Sequence, residues 1–172
     1  MADRFGLGLP QDQNRLAAYN ADWAVAFAEE AARLKAALGG VVIAIEHYGS
    51  TSIPGLAAKP ILDLLVGVAD LAQVPALSET MAGLGYEDRG REDVPGHHIF
   101  GRGVARTHLA HFVRHGGRDW LAPLTFRDRV RADPGLRDAY LALKTRLAAE
   151  HPTDRGAYTA GKAGFVAAVL AD

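Results

Sequence analysis

The chain has no cysteine. Disulfides, thiolate metal centres and thiol nucleophiles are therefore excluded, which suits a cytosolic setting. It also lacks any long apolar run. Stretches such as ILDLLVGV (residues 61–68) break off far short of the roughly twenty residues that a membrane helix needs. An excess of charge is missing as well, with 19 Lys and Arg against 20 Asp and Glu and a formal net charge of −1. Bulk electrostatics thus give no reason to expect a nucleic-acid or membrane partner. The opening residues, MADRFGLGLPQDQ, lack the basic stretch and apolar core of a secretory leader. No segment repeats and none is of low complexity. What remains is a chain of 172 residues, 49% hydrophobic, enough for one domain with a buried core. The number of subunits is left open.

Residues 1–13 are rich in Gly, Pro, Asp and Gln and read as a flexible arm before a single domain over 14–172. WAVAFAEEAARLKAAL (23–38) has helical periodicity, with Asp22 as an N-cap and Gly39-Gly40 as a stop. VVIAIE (41–46) and ILDLLVGV (61–68) read as strands, separated by a loop with room for one helical turn. Residues 74–84 read as a helix. GYEDRGREDVPG (85–96) reads as a polar loop, followed by short strands at 97–100 and 107–113. From about residue 119 the character is helical, over 119–131, 134–150 and 154–170, with Pro134 suited to a first turn. The order predicts an α+β fold, a mixed sheet with a C-terminal helical segment.

The stretch HYGSTSIPGLAAKPILD (47–63) concentrates the chemistry. Gly49 permits close backbone approach, Ser50 adds a hydroxyl donor, and Thr51 or Ser52 opening a helical turn would favour an anion. Lys59 could add a positive charge. Asp63, the one charge within its strand, could hold Mg²⁺ against phosphate oxygens. The same residues also describe a tight turn with a solvated lysine and a strand-end aspartate.

This stretch resembles the signature of the GrpB-like family of bacterial proteins. The likeness extends through NADWAVAFAEEAARL, RTHLAHFV, FRDRVRADPGLRDAYLALK and DRGAYTAGKAGFV, over about residues 18–170. The resemblance implies a nucleotidyltransferase-like fold of the polymerase-β palm type. It also implies a divalent cation, Mg²⁺ or Mn²⁺, and a small phosphorylated ligand or nucleotide, in the cytoplasm. In that superfamily the Gly–Ser loop holds phosphates, a strand carries two acids one residue apart, and a later strand supplies a third. Gly49 and Ser50 then match the loop and Asp63 the first acid. Leu65 stands at the second, and the third acid's strand offers His108 and His111. One carboxylate and an imidazole do not make the usual two-metal site. Asp63 with His111 could hold one softer metal, or His111 could act as a base. Glu46 could supply an oxygen, though Glu46 and His47 face opposite ways in a strand. His98 and Arg102 are further pocket candidates.

On an extended strand His111 and Leu109 share one face, while His108, Ala110 and Phe112 share the other. Arg155, Tyr158 and Lys162 lie on one helical stripe. They could clasp a phosphate or stack a base, or pack their stems on the sheet and expose their tips. Trp23 and Trp120 read as docking residues of the core. The sequence therefore supports two main expectations, beside a weaker third, a single-metal phosphohydrolase built on Asp63 and the histidines. One is a metal-dependent nucleotidyl- or phosphoryltransferase with an incomplete set of acids. The other is a binding or regulatory module that has kept the anion loop without turnover.

Overall fold

A computed structural model describes residues 4–91 and 94–172. Residues 1–3 of the expected arm and 92–93 of the expected polar loop lie outside the described residues. The elements in chain order are α1 (Asp22–Leu38), β1 (Val42–Tyr48), β2 (Leu62–Val68), α2 (Ser78–Gly83), β3 (Tyr86–Gly90), β4 (His98–Arg102), β5 (His108–Arg114), α3 (Arg118–Ala132), α4 (Pro134–Glu150) and α5 (Arg155–Ala171). They form a mixed five-stranded sheet in the order β1-β2-β5-β4-β3. Only β2 and β5 run parallel, and they form the centre. The α+β expectation holds.

Side-chain alternation splits the sheet into two faces. Leu62, Leu64, Val66, Ala110 and Phe112 join the large core under α1. There Trp23, Ala26, Ala31, Leu34 and Leu38 form the buried stripe of the helix. On the opposite face Leu65 and Val113 pack with Trp120 of α3. A Cβ at Gly67 would lie 2.9 Å from both His115 and Trp120, so the bare glycine gives α3 its seat. The parity expected for β5 is observed, with Leu109, His111 and Val113 turned toward α3–α5.

Four local expectations change. Residues 85–96 are not all loop, because β3 pairs with β4 at the sheet edge. Its residues YEDRG bury only Tyr86. An edge strand wetted on both faces carries no apolar alternation, so its pattern is silent. The helix expected over 74–84 is split into a 3-10 stretch (Leu71–Leu77) and short α2, because Pro75 has no N–H to continue the ladder. Asp22 lies in the first turn of α1, which has Ala21 rather than an aspartate as N-cap. Finally, residues 4–13 are not loose. Leu7 and Leu9 are fully buried, and the backbone bonds Gly8 N–H to Pro60 O (2.8 Å) and Leu9 N–H to Arg106 O (3.2 Å) tie the segment down.

Candidate functional site: a cation-rich cavity

Between the β2–β5 face and helices α3–α5 lies a cavity of about 500 Å³, a size suited to a small organic ligand. The loop after β1 forms one wall. Gly49 begins it at φ 72°, ψ −177°, a region open almost only to glycine. A Cβ here would also overlap the Asp63 carboxylate. Ser50–Ser52 is a single 3-10 turn. The loop then drives Ile53 and Leu56 into an apolar cluster with Val130 of α3 and Tyr140 of α4. Basic side chains from these helices donate to the carbonyls of β1's end and the loop: Arg127 to His47 O (2.8 Å), Arg131 to Ser52 O (2.6 Å) and Lys144 to Ala57 O (2.7 Å). The sheet, the loop and the helical layer are thereby locked in one register.

Asp63 of β2 sits at the cavity floor, its side chain about a quarter exposed. Burial pushes its carboxyl up to about 6, against the pull of Lys162, Arg155, Lys59 and Arg106. Lys59 lies 3.8 Å above the Tyr158 ring and Lys162 lies 4.8 Å from it. Lys59 also donates to Asn14 Oδ1 (2.6 Å). Both the ring and the amide oxygen favour the ammonium form. Burial and the neighbouring cations Lys162, Arg155 and Arg106 oppose it, bringing Lys59 down to about 7. Asn14 is itself almost wholly buried. Its Nδ2 donates to His151 O and Asp154 O at the α4–α5 turn. One amide thus fixes Lys59 relative to α5.

Arg106 is 1% exposed. One of its Nη groups reaches Gln11 O at 3.3 Å, while its Nε–H is buried with no partner among the described residues. Such an orphan donor is unfavourable unless something accepts from it. Among the described residues the cavity is lined by seven lysines and arginines and two aspartates. The near-neutral charge of the whole chain conceals this concentration.

His111 Nε2 lies 3.9 Å from Asp63 Oδ1, and its Nδ1 lies 3.2 Å from Nδ1 of His97. Burial, with His97 and Arg155 nearby, brings His111 down to about 3, so it is neutral at physiological pH. The structure brings Gly49, Ser50, Thr51, Lys59, Asp63, His111, Arg155, Tyr158 and Lys162 to the cavity. It takes four candidates elsewhere. Glu46 is on the cavity side of β1 but pairs with Arg127 (2.8 Å). His47 is on the far face, stacked on Phe27 with its Nε2 3.0 Å from Thr51 Oγ1. His98 pairs with Asp88 (2.7 Å) and Arg102 with Glu30 (3.0 Å). Tyr158 is buried and holds the two lysines, so its ring is not a platform for a base.

The sequence reading missed Arg106, Lys144, His97 and Tyr140. Lys144 had left a signal, since Tyr140, Lys144 and Leu147 form the buried stripe of α4 and a lysine inside such a stripe needs a partner.

A divalent centre does not fit these residues. Mg²⁺ requires oxygen ligands in near-octahedral array, and Asp63 is the one carboxylate here on β2. Leu65 is sealed under Trp120. Paired across from it on β5 is His111, an imidazole rather than an acid. Among the described residues no three His, Asp or Glu side chains come together to hold a metal. Four cations already act on Asp63.

The family profile described as "GrpB protein" matches residues 13–172. The Glutamate-rich protein GrpB of Alkalihalophilus pseudofirmus is 33% identical over 170 residues, covering 95% of this chain and 98% of that one. The UPF0157 protein YqkA of Bacillus subtilis is 40% identical over 154 residues, covering 89% of this chain but 45% of its own, so the chain spans under half of that relative. Among solved structures, the conserved protein GrpB from Enterococcus faecalis superposes with a TM-score of 0.84 at 34% identity, over 91% of this chain and 95% of that one. The Cid1 poly(U) polymerase superposes at 0.53 with 14% identity, over 79% of this chain and 43% of that one. A second Cid1 structure, in complex with the UTP analogue UMPNPP, gives 0.51 at 18%, over 79% and 43%. That likeness is one of fold, and it places the chain among nucleotidyltransferase-like architectures. Among the described residues no helix is long and apolar enough to cross a membrane.

Proposed function

The chain belongs to the GrpB family, and from that premise we propose that its cavity binds a small phosphorylated ligand of the nucleotide class, in the cytoplasm. One observation carries the reading. Lys59, Arg106, Arg155 and Lys162 converge on a single carboxylate in a cavity of ligand size. Such a convergence of cations is held together more easily once an anion enters the cavity. The fold shared with Cid1, whose structure contains a UTP analogue, supports nucleotides as the first probes.

A thermal-shift panel of nucleoside mono-, di- and triphosphates tests the reading. A ligand at a hundred times its Kd stabilises the folded chain by about 2.7 kcal/mol, which a melting curve reads directly. If no phosphorylated compound moves the melting temperature, the reading fails.

One observation favours a second reading, transfer of a nucleotidyl or phosphoryl group. His111 Nε2 lies 3.9 Å from Asp63 Oδ1 inside the cavity, a carboxylate–imidazole pair placed to take a proton from an acceptor hydroxyl. Radiolabelled nucleoside triphosphate incubated with the protein and a cell extract tests it. Persistent lack of turnover alongside measurable binding leaves the binding module.

A further inference from the structure

We propose that this cavity takes the phosphate of its ligand without a divalent cation, with lysine and arginine side chains doing what metal ions do elsewhere in the fold. The inference rests on the anion-binding reading above and adds to it how the charge is met.

The argument begins with the acids. Two-metal chemistry clamps the attacking and leaving oxygens between cations held by several carboxylates. Here the position two residues beyond Asp63 is Leu65, fully buried against Val113 and Trp120. A metal between Asp63 and His111 would have two protein ligands, short of the set that holds a divalent cation. The field points the same way. Lys162, Arg155, Lys59 and Arg106 all act on Asp63, and each would repel a divalent cation placed beside it.

The donors complete the argument. A metal site presents acceptors, whereas this cavity is lined by Arg106, whose Nε–H is buried without a partner among the described residues. A phosphate oxygen satisfies that group and a cation cannot. The two lysines need no metal to place them either. The Tyr158 ring and the Asn14 amide hold Lys59, and the same ring holds Lys162. Asp63 then becomes the counter-charge that keeps four cations together before the ligand arrives.

The test is calorimetric titration of inorganic pyrophosphate into the full chain, first in EDTA and then with stepwise Mg²⁺ or Mn²⁺. Binding is expected in EDTA, with an affinity that added metal does not raise. Lys162→Gln is expected to weaken it at least about tenfold, and Arg106→Gln at least as much. Lys162 is only partly buried, so its variant remains informative if Arg106→Gln fails to fold. Asp63→Asn is expected to bind as tightly as wild type or more so, because a negative charge has left the site. Binding that requires Mg²⁺ or Mn²⁺ and vanishes in Asp63→Asn overturns this inference while leaving the anion-binding reading standing. Absence of binding in every buffer overturns both.

Discussion

Two acidic side chains face arginines and lysines on opposite sides of the same sheet, and they are handled in opposite ways. Glu30, under α1, receives Arg33 Nε (3.0 Å) and Nη2 (2.7 Å), the Tyr86 hydroxyl (2.7 Å) and Arg102 Nη1 (3.0 Å). Burial alone would raise its carboxyl, but the hydrogen bonds from Arg33 and Tyr86 outweigh that and hold it below the usual range. Asp63, under α3–α5, has more cations acting on it, yet among the described residues none is hydrogen-bonded to it. Burial raises it to about 6. Glu30 is a closed network in which each oxygen is satisfied. Asp63 is an open one, with cations placed around the carboxylate but none bonded to it among the described residues. Closure marks a structural element, and openness inside a cavity marks a place for a ligand.

The sharpest way to break this contrast is to put an acid in neither setting. Leu65→Asp buries an unpaired carboxylate under Trp120 and is expected to cost about 4 kcal/mol or more in urea unfolding. If the variant is stable and gains Mg²⁺ binding, the sealed position has been misjudged. Next in size, Glu30→Gln is expected to lose about 3 kcal/mol, since a buried acid gives up its charge-assisted bonds to Arg33 and Arg102 and turns an amide N–H toward them. Asp63→Asn should stay within about 1 kcal/mol of wild type. A reversal of that order would end the distinction.

Gly49→Ala follows, at about 2 kcal/mol, because the backbone there is open almost only to glycine and the new methyl meets Asp63. Pyrophosphate binding should fall with it.

pH separates the two acids without mutation of the site. Glu30 has a lowered pKa, so its stabilising contribution is complete above about 4.5 and is lost as pH falls through the folded-state value. Asp63 has a raised one, so its contribution is present below about 4 and lost as pH rises through about 6. For ligand binding both site groups act in one direction. Protonating Asp63 removes a negative charge below about 6, and Lys59 loses its positive charge above about 7. The affinity of an anion of fixed charge, such as sulfate, is therefore expected to fall steadily from pH 5.5 to 8.5. A flat profile would show that neither group faces the ligand. The smallest effect is expected of Tyr158→Leu, a few-fold loss of pyrophosphate affinity, about 1 kcal/mol, as Lys59 and Lys162 lose their shared ring.

Much of this could be read from the chain, and the rest could not for identifiable reasons. The strands carrying Gly49 and Asp63 are short, β-branched runs bounded by glycine and proline, and the C-terminal helices repeat their apolar positions. Both kinds of signal are local. Strand β3 has no such signal, because an edge strand in water needs no alternation. Arg106, Asn14 and His97 owe their place to tertiary contacts alone. Arg106 stands two residues before β5, Asn14 at the edge of a segment that reads as loose, and His97 just before β4. Glu46, His98 and Arg102 show the converse. Their chemistry was legible and their partners were not, and Arg127, Asp88 and Glu30 claim them.

Asn14 joins three stretches that are remote in sequence: its own segment, Lys59, and the turn between α4 and α5. A single carboxamide thus serves as the keystone of an arch, and nothing else in the N-terminal segment needs to touch a ligand for that segment to govern the site. Pulling residues 7–14 away from the body would strip Leu7 and Leu9 from the core and release Lys59 and Arg106 in the same movement. In this molecule the packing of the first residues and the readiness of the site are one property.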